Sequence, residues 1–213
     1  MAIKKIVKIW DDGKISNSNI EFLKLKTKKV TFPTSKFIHD IVNDLIDTYK
    51  SITCAGIAAN QIGHSYQIFI GMKNIEDEAE GEEIEKKEAE LSSSLKNPYA
   101  DNYEIYINPQ IDKVDNQSTK LDEEGCLSVP GLLVGRQRYD KIKVRYYDIN
   151  GKKNKKTLSG FLSKLFQHEL DHLNGKLMID DIEKIENLYP VEASEENAQL
   201  YGNLYSEYQK LIK

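Results

Sequence analysis

The stretch F-Q-H-E-L-D-H-L-N-G, Phe166 to Gly175, places two histidines four residues apart, with a glutamate directly after the first. On an α-helix, positions i and i+4 lie on one face, so the imidazoles of His168 and His172 can converge on a single point. This is the H-E-x-x-H arrangement of a metal site that carries its own general base, here Glu169. Catalytic metal sites of this type usually have three protein ligands and one open position, so a third ligand is needed. One extension of the motif supplies a histidine after a glycine turn. Gly175 is in place, but Met178 stands where that histidine would be, and a thioether is a poor ligand for a borderline divalent ion. His39 and His64 have no ligand spacing, which leaves the downstream glutamates Glu183, Glu186 and Glu192, and the cysteines Cys54 and Cys126.

Cys126 lies in D-E-E-G-C-L-S-V-P-G. The segment E-G-C-L-S (Glu124 to Ser128), followed by Q-H-E-x-D-H-L-x-G (Gln167 to Gly175), resembles the peptide deformylase family. A third block of that family, G-φ-G-φ-A-A-x-Q with φ apolar, has its counterpart in C-A-G-I-A-A-N-Q-I-G, Cys54 to Gly63. The blocks occur in the family's order, and the resemblance runs from about Ile6 to about Met178. It implies Cys126 as the third metal ligand beside His168 and His172, with Glu169 shuttling protons. It also implies that Gln61 and the backbone N–H of Leu127 donate to the developing oxyanion. In the family the substrate backbone pairs, strand-fashion, with the segment holding Ala55 and Gly56, where the absent side chain permits close approach. Phe161 and Leu165 are candidates for an apolar pocket receiving a methionine side chain, with plain core as the alternative.

The activity implied is removal of formyl from the N-terminal formylmethionine of nascent polypeptides, using one divalent ion. Fe²⁺ is the family's preference, and Zn²⁺ or another divalent ion suits the same ligands. The implied partners are the nascent peptide and the ribosome near its tunnel exit, with no membrane and no direct DNA binding. Two alternatives stand beside this: an H-E-x-x-H metallopeptidase using a downstream glutamate, and a catalytically weak, ribosome-associated binding protein. The chain also departs from the family pattern. Cys54 replaces the first glycine of its block, and Leu133 stands where the family often has arginine. Asp171 is either a hydrogen-bond partner of a ligand imidazole or an exposed helix carboxylate. Arg138 either pairs with Glu124 or lies free on the surface.

At 213 residues, 39% hydrophobic and 30% charged, the chain has the composition of a soluble globular protein with one sizeable core. No apolar run approaches a membrane span, and the N-terminus lacks a signal peptide's apolar region. Two cysteines far apart do not make a disulfide framework, so a reducing, cytoplasmic setting is expected. From Glu76 to Glu90 there are nine acidic residues against two lysines, a charge of −7 that leaves +3 for the rest of the −4 total. This acidic run lies in Asn74 to Asn102, which is too charged for a core element and reads as an insertion.

Along the chain, Phe37, Ile38, Ile41, Val42, Leu45, Ile46 and Tyr49 form a helical stripe behind a Thr34 or Ser35 cap. Gln67–Met72 and Tyr103–Val114 read as strands, and Asp140–Gly160 reads as a hairpin turning at Asn150-Gly151. Ser159 is expected to cap the motif helix, which runs through Asn174, with Gly175 as the residue that ends it. Leu200, Tyr201, Leu204, Tyr205, Tyr208, Leu211 and Ile212 share one stripe of a C-terminal amphipathic helix. The expected fold is α+β. The family's version has antiparallel sheets around a central metal-binding helix. Residues 1–180 then form the catalytic domain and 181–213 a helical extension.

Overall fold

The computed structural model of the chain describes residues 2–73, 97–180, 182 and 187–212. In order these form strands β1 (Trp10–Asp11) and β2 (Lys14–Ile15), helices α1 (Asn17–Leu23) and α2 (Lys36–Ser51), and β3 (Gly56–Ala58). A 3-10 turn (Ala59–Ile62) leads to β4 (Ile68–Met72), β5 (Tyr103–Val114), β6 (Thr119–Cys126) and β7 (Val129–Tyr139). Then come β8 (Lys141–Tyr147), β9 (Lys153–Ser159), helix α3 (Gly160–Leu173), β10 (Leu188–Pro190) and helix α4 (Glu195–Leu211). The architecture is α+β. A five-stranded sheet has the order β3-β4-β5-β8-β9, and a three-stranded sheet the order β10-β7-β6, with antiparallel pairing in both. Residues 74–96, which hold most of the acidic insertion, lie outside the described residues.

Local chemistry accounts for the elements. Ser35, not Thr34, caps α2 by accepting the Ile38 N–H at 3.4 Å, and Ile38, Ile41, Val42, Leu45 and Tyr49 are buried. Phe37 falls at the margin of that stripe. It remains 52% exposed, with its ring edge-on to His64 and Tyr66. The β8–β9 hairpin closes with Tyr147 opposite Lys153, so its loop spans Asp148 to Lys152, longer than a two-residue Asn-Gly turn. Asp148 Oδ1 accepts the N–H groups of Asn150 and Lys152, while Gly151 takes a φ of 79°.

Helix α3 packs against β3, β4, β7, β8 and β9, touching strands of both larger sheets. Its Phe166 sits edge-on to the stacked rings of Phe69 and Tyr106, at 5.3 and 5.6 Å. Burial of that ring contributes about 3 kcal/mol. Polar bonds fix the helix to the end of β7: Ser163 Oγ and Gln167 Nε2 both donate to the Tyr139 carbonyl, at 2.7 and 2.8 Å. The last helical carbonyls, which lack partners within the helix, accept from Thr27 Oγ1 at Leu173 and from Asn60 Nδ2 at His172. Gly175 then leaves the helix at φ 72°, where an added Cβ would collide with the Lys24 carbonyl. Helix α4 starts at Ser194, whose Oγ accepts the Asn197 N–H at 3.1 Å. It buries Leu204, Tyr205 and Tyr208 in one cluster with Ile9, Trp10, Val134 and Met178.

Candidate metal centre

The β6–β7 hairpin turns through Leu127 and Ser128, placing Cys126 at the end of β6 opposite Val129. Because α3 is anchored to the far end of β7, the hairpin carries the thiol to the histidine face of the helix. Cys126 Sγ lies 3.1 Å from His172 Nε2, and the ligating atoms of Cys126, His168 and His172 are all within 4.8 Å of one another. The two imidazoles are nearly perpendicular, 5.0 Å between centroids. Among the described residues this is the group brought into metal-ligating range. Glu192 is exposed and outside it, and Glu183 and Glu186 lie outside the described residues. Cys54 is outside the group as well. It lines the same cleft, and burial pushes its thiol up to about 12.

The donor set fits a cation. Burial alone would raise the Cys126 pKa, yet the imidazoles of His172 and His168 draw it down to about 5, the thiolate form that a metal ligand requires. Glu169 is 2% exposed, and its Oε2, like Nδ1 of His172, has no hydrogen-bond partner among the described residues. Burial raises the Glu169 carboxyl to about 7, against the pull of the two histidines.

Surrounding residues hold these groups in place. The amide oxygen of Gln61 accepts the Ala58 N–H at 2.8 Å, which aims its NH₂ at Cys126 Sγ (3.6 Å) and Ser128 Oγ (3.3 Å). Gly56 opens β3, at the edge of the five-stranded sheet. A Cβ there would lie 2.8 Å from both Glu169 Oε1 and Leu165 Cδ1, so these two side chains occupy that space. The Ala55 carbonyl accepts the Met72 N–H at 2.8 Å. Phe161, 41% exposed, and Leu165 line a cleft of about 640 Å³ together with Gly56, Cys126, Leu127 and Glu169.

The sequence left the role of Glu124 almost unread. His168 Nδ1–H donates to Glu124 Oε2 at 3.1 Å, which fixes the ring so that Nε2 faces the thiol side. Arg138 grips both oxygens of Glu124, at 2.5 and 2.9 Å, and reaches Asp171 at 2.6 Å. Asp171 therefore steadies the arginine, and Glu124 is the carboxylate that meets an imidazole. Burial alone would raise Glu124, but the hydrogen bonds from Arg138 and His168 hold it at about 2, below its ordinary 4.5. The folded state thus binds fewer protons there than the unfolded chain. This stability is complete above pH 4.5 and is lost as the pH falls toward 2. Urea midpoints measured from pH 6 down to pH 3 should fall, and a flat profile would contradict the pairing. Arg138→Met, which strands Glu124 in the interior, should cost about 3–5 kcal/mol in the same assay. A cost below about 1 kcal/mol would mean that solvent already neutralises the pair.

Two histidines and one cysteine converge beside a buried glutamate and a cleft, a donor set that could hold a metal ion, as in metal-dependent hydrolases. Comparison with known proteins gives the particular family. The polypeptide deformylase family model matches residues 12–188. The peptide deformylase of Elusimicrobium minutum is 36% identical over 184 residues, covering 84% of this chain and 88% of that one. The crystal structure of a peptide deformylase from Legionella pneumophila superposes with a TM-score of 0.64 at 27% identity, covering 99% of this chain and 98% of that one. A Met-Ala-Ser-bound class I type b peptide deformylase from Acinetobacter baumannii gives 0.63 at 26% identity, covering 85% and 99%. The chain belongs to the polypeptide deformylase family. It is a hydrolase that removes N-terminal formyl groups, and its family is metal-dependent.

Proposed function

We propose that Cys126, His168 and His172 hold one divalent cation and that the enzyme deformylates the N-terminal formylmethionine of nascent peptides. The observation that supports this most is the convergence of three ligating atoms beside the unpartnered carboxylate oxygen of Glu169. Iron(II) is the ion that the family resemblance favours, and zinc(II) suits one sulfur and two nitrogen donors equally. When bound, such an ion supplies a Lewis acid that makes water a usable nucleophile near neutral pH.

Glu169 takes a proton from the attacking water as the new C–O bond forms, then delivers it to the departing nitrogen as the C–N bond breaks. The products are formate and a peptide with a free amine. Gln61, its amide oxygen anchored by Ala58, turns its NH₂ to the developing oxyanion, and the Leu127 N–H is the second donor. The peptide adds to the open edge of β3 at Ala55 and Gly56, and its methionine side chain enters between Phe161 and Leu165. The Met-Ala-Ser peptide held by the Acinetobacter relative supports a substrate that begins with methionine.

We take residues 1–180 as the catalytic domain, with α3 as its central metal-binding helix, and 181–213 as a helical extension packed on it. The cytoplasm, beside the ribosomal tunnel exit, is the place where such a substrate emerges. Among the described residues no helix is long and apolar enough to cross a membrane.

Formate release from formyl-Met-Ala-Ser should far exceed acetate release from acetyl-Met-Ala-Ser, by about 10²-fold or more. The carbonyl carbon must reach the nucleophile while its oxygen meets Gln61 and Leu127, and misplacement by about 1 Å costs on that order. An acetyl methyl collides with that wall. Comparable rates on the two peptides, measured with metal-analysed protein, would point to a general aminoacylase.

A further inference from the structure

Two of the large apolar side chains that remain exposed, Phe161 at 41% and Val191 at 58%, line the same cleft. Phe161 belongs to the motif helix. Val191 does not: it lies beyond residue 188, where the family match ends, and past every motif block. The chain nevertheless fixes it firmly. β10 pairs with β7, setting Pro190 opposite Leu132, and the Val191 N–H donates to the Gly131 carbonyl at 3.0 Å. Gly131 and Leu132 are themselves cleft-lining residues.

The wall is backed from behind. Gly131 has φ 81°, and an added Cβ would fall onto the ring of Tyr201 from helix α4. Trp10, 6.4 Å from Tyr201 between ring centroids, donates its indole N–H to the Pro130 carbonyl at 2.9 Å. Val191 is therefore a preformed apolar surface, and a ligand that meets it need not order a loop first. Solvent exposure of an apolar side chain on a substrate cleft gives up burial that the right ligand restores.

Resting on the deformylase reading above, we infer that Val191 is a specificity-determining residue: it receives an apolar side chain of the peptide downstream of methionine. The segment beyond the family match thus selects among formylated chains by their second or third residue. The Cδ2 of Leu133 lies against Gly125, and residues 129–135 of β7 include no lysine or arginine, so this stretch carries no cation toward that part of the substrate.

The test compares formyl-Met-Leu-Ser and formyl-Met-Ala-Leu with formyl-Met-Ala-Ser. Wild-type enzyme should favour the leucine peptide at one of these positions by about fivefold in kcat/KM, through KM, as partial burial of a leucine predicts. Val191→Asp should bring that ratio to about one, and Val191→Leu should preserve it. Each ratio is taken on one preparation, so the fraction of folded, metal-loaded enzyme cancels and a weakened variant still reports. A wild-type ratio near one at both positions, or a preference that survives in Val191→Asp, overturns the inference while leaving the deformylase reading intact. No formate release from any of the three peptides would overturn that reading and this inference together.

Discussion

Glu169→Gln should keep its metal and lose formate release by about 10²–10⁴-fold, the usual worth of a positioned acid–base group. The change is isosteric, so the packing of the side chain against Gly56 and Leu165 is retained. The chemistry is what changes. A carboxylate accepts the proton of the attacking water and then carries it to the amine, whereas an amide NH₂ can only donate and cannot hold that proton. Loss of both transfers places the expected effect at the upper end of the range. Oε2 has no hydrogen-bond partner among the described residues, so the carboxylate is not spent on holding the helix in place, and stability should change little. Metal analysis together with steady-state kinetics separates the cases. Near-normal turnover with metal bound would remove Glu169 from the mechanism.

The parts of the site that follow from local periodicity are legible in the sequence. His168 and His172 share a helix face because four residues make about one turn, and Gly175 ends that helix because glycine readily takes the positive φ of the residue that follows a helix. The strand Tyr103–Val114 is legible from its aromatic and β-branched residues, Tyr103, Ile105, Tyr106, Ile107, Ile111 and Val114. The β6–β7 hairpin is not. T-K-L-D-E-E-G-C is exposed along most of its length and shows no alternation, so its pairing is visible only in register. Contacts between distant segments have no local signal at all. Glu124 meets His168 across 44 residues, and Asp171 pairs with Arg138 across 33. The proposed third ligand, Cys126, is readable only through the family's E-G-C-L-S block. Val191 had no signal of any kind, being one valine in an irregular stretch whose importance comes from what β7 places beside it.

Cys126→Ala should lose most of its bound metal, while Cys54→Ala and Glu192→Gln should keep theirs. Two imidazoles alone make a weak site, and the thiolate supplies the negative charge that a divalent ion needs. Removing a residue that merely orients a ligand commonly costs 10–100-fold in metal affinity, so loss of a direct ligand should exceed about 100-fold. The surroundings of Cys126 agree with that weight, since the histidines already hold its thiol at about 5 despite burial. Cys54 is a sharp control: it lines the same cleft but lies outside the group of atoms within ligating range of one another, and burial pushes its thiol up to about 12. Glu183→Gln and Glu186→Gln extend the control to residues outside the described part of the chain. Metal content after dialysis against a weak chelator decides the matter. Full occupancy in Cys126→Ala would sink the coordination, and loss of metal in one of the glutamate variants would move the third ligand downstream.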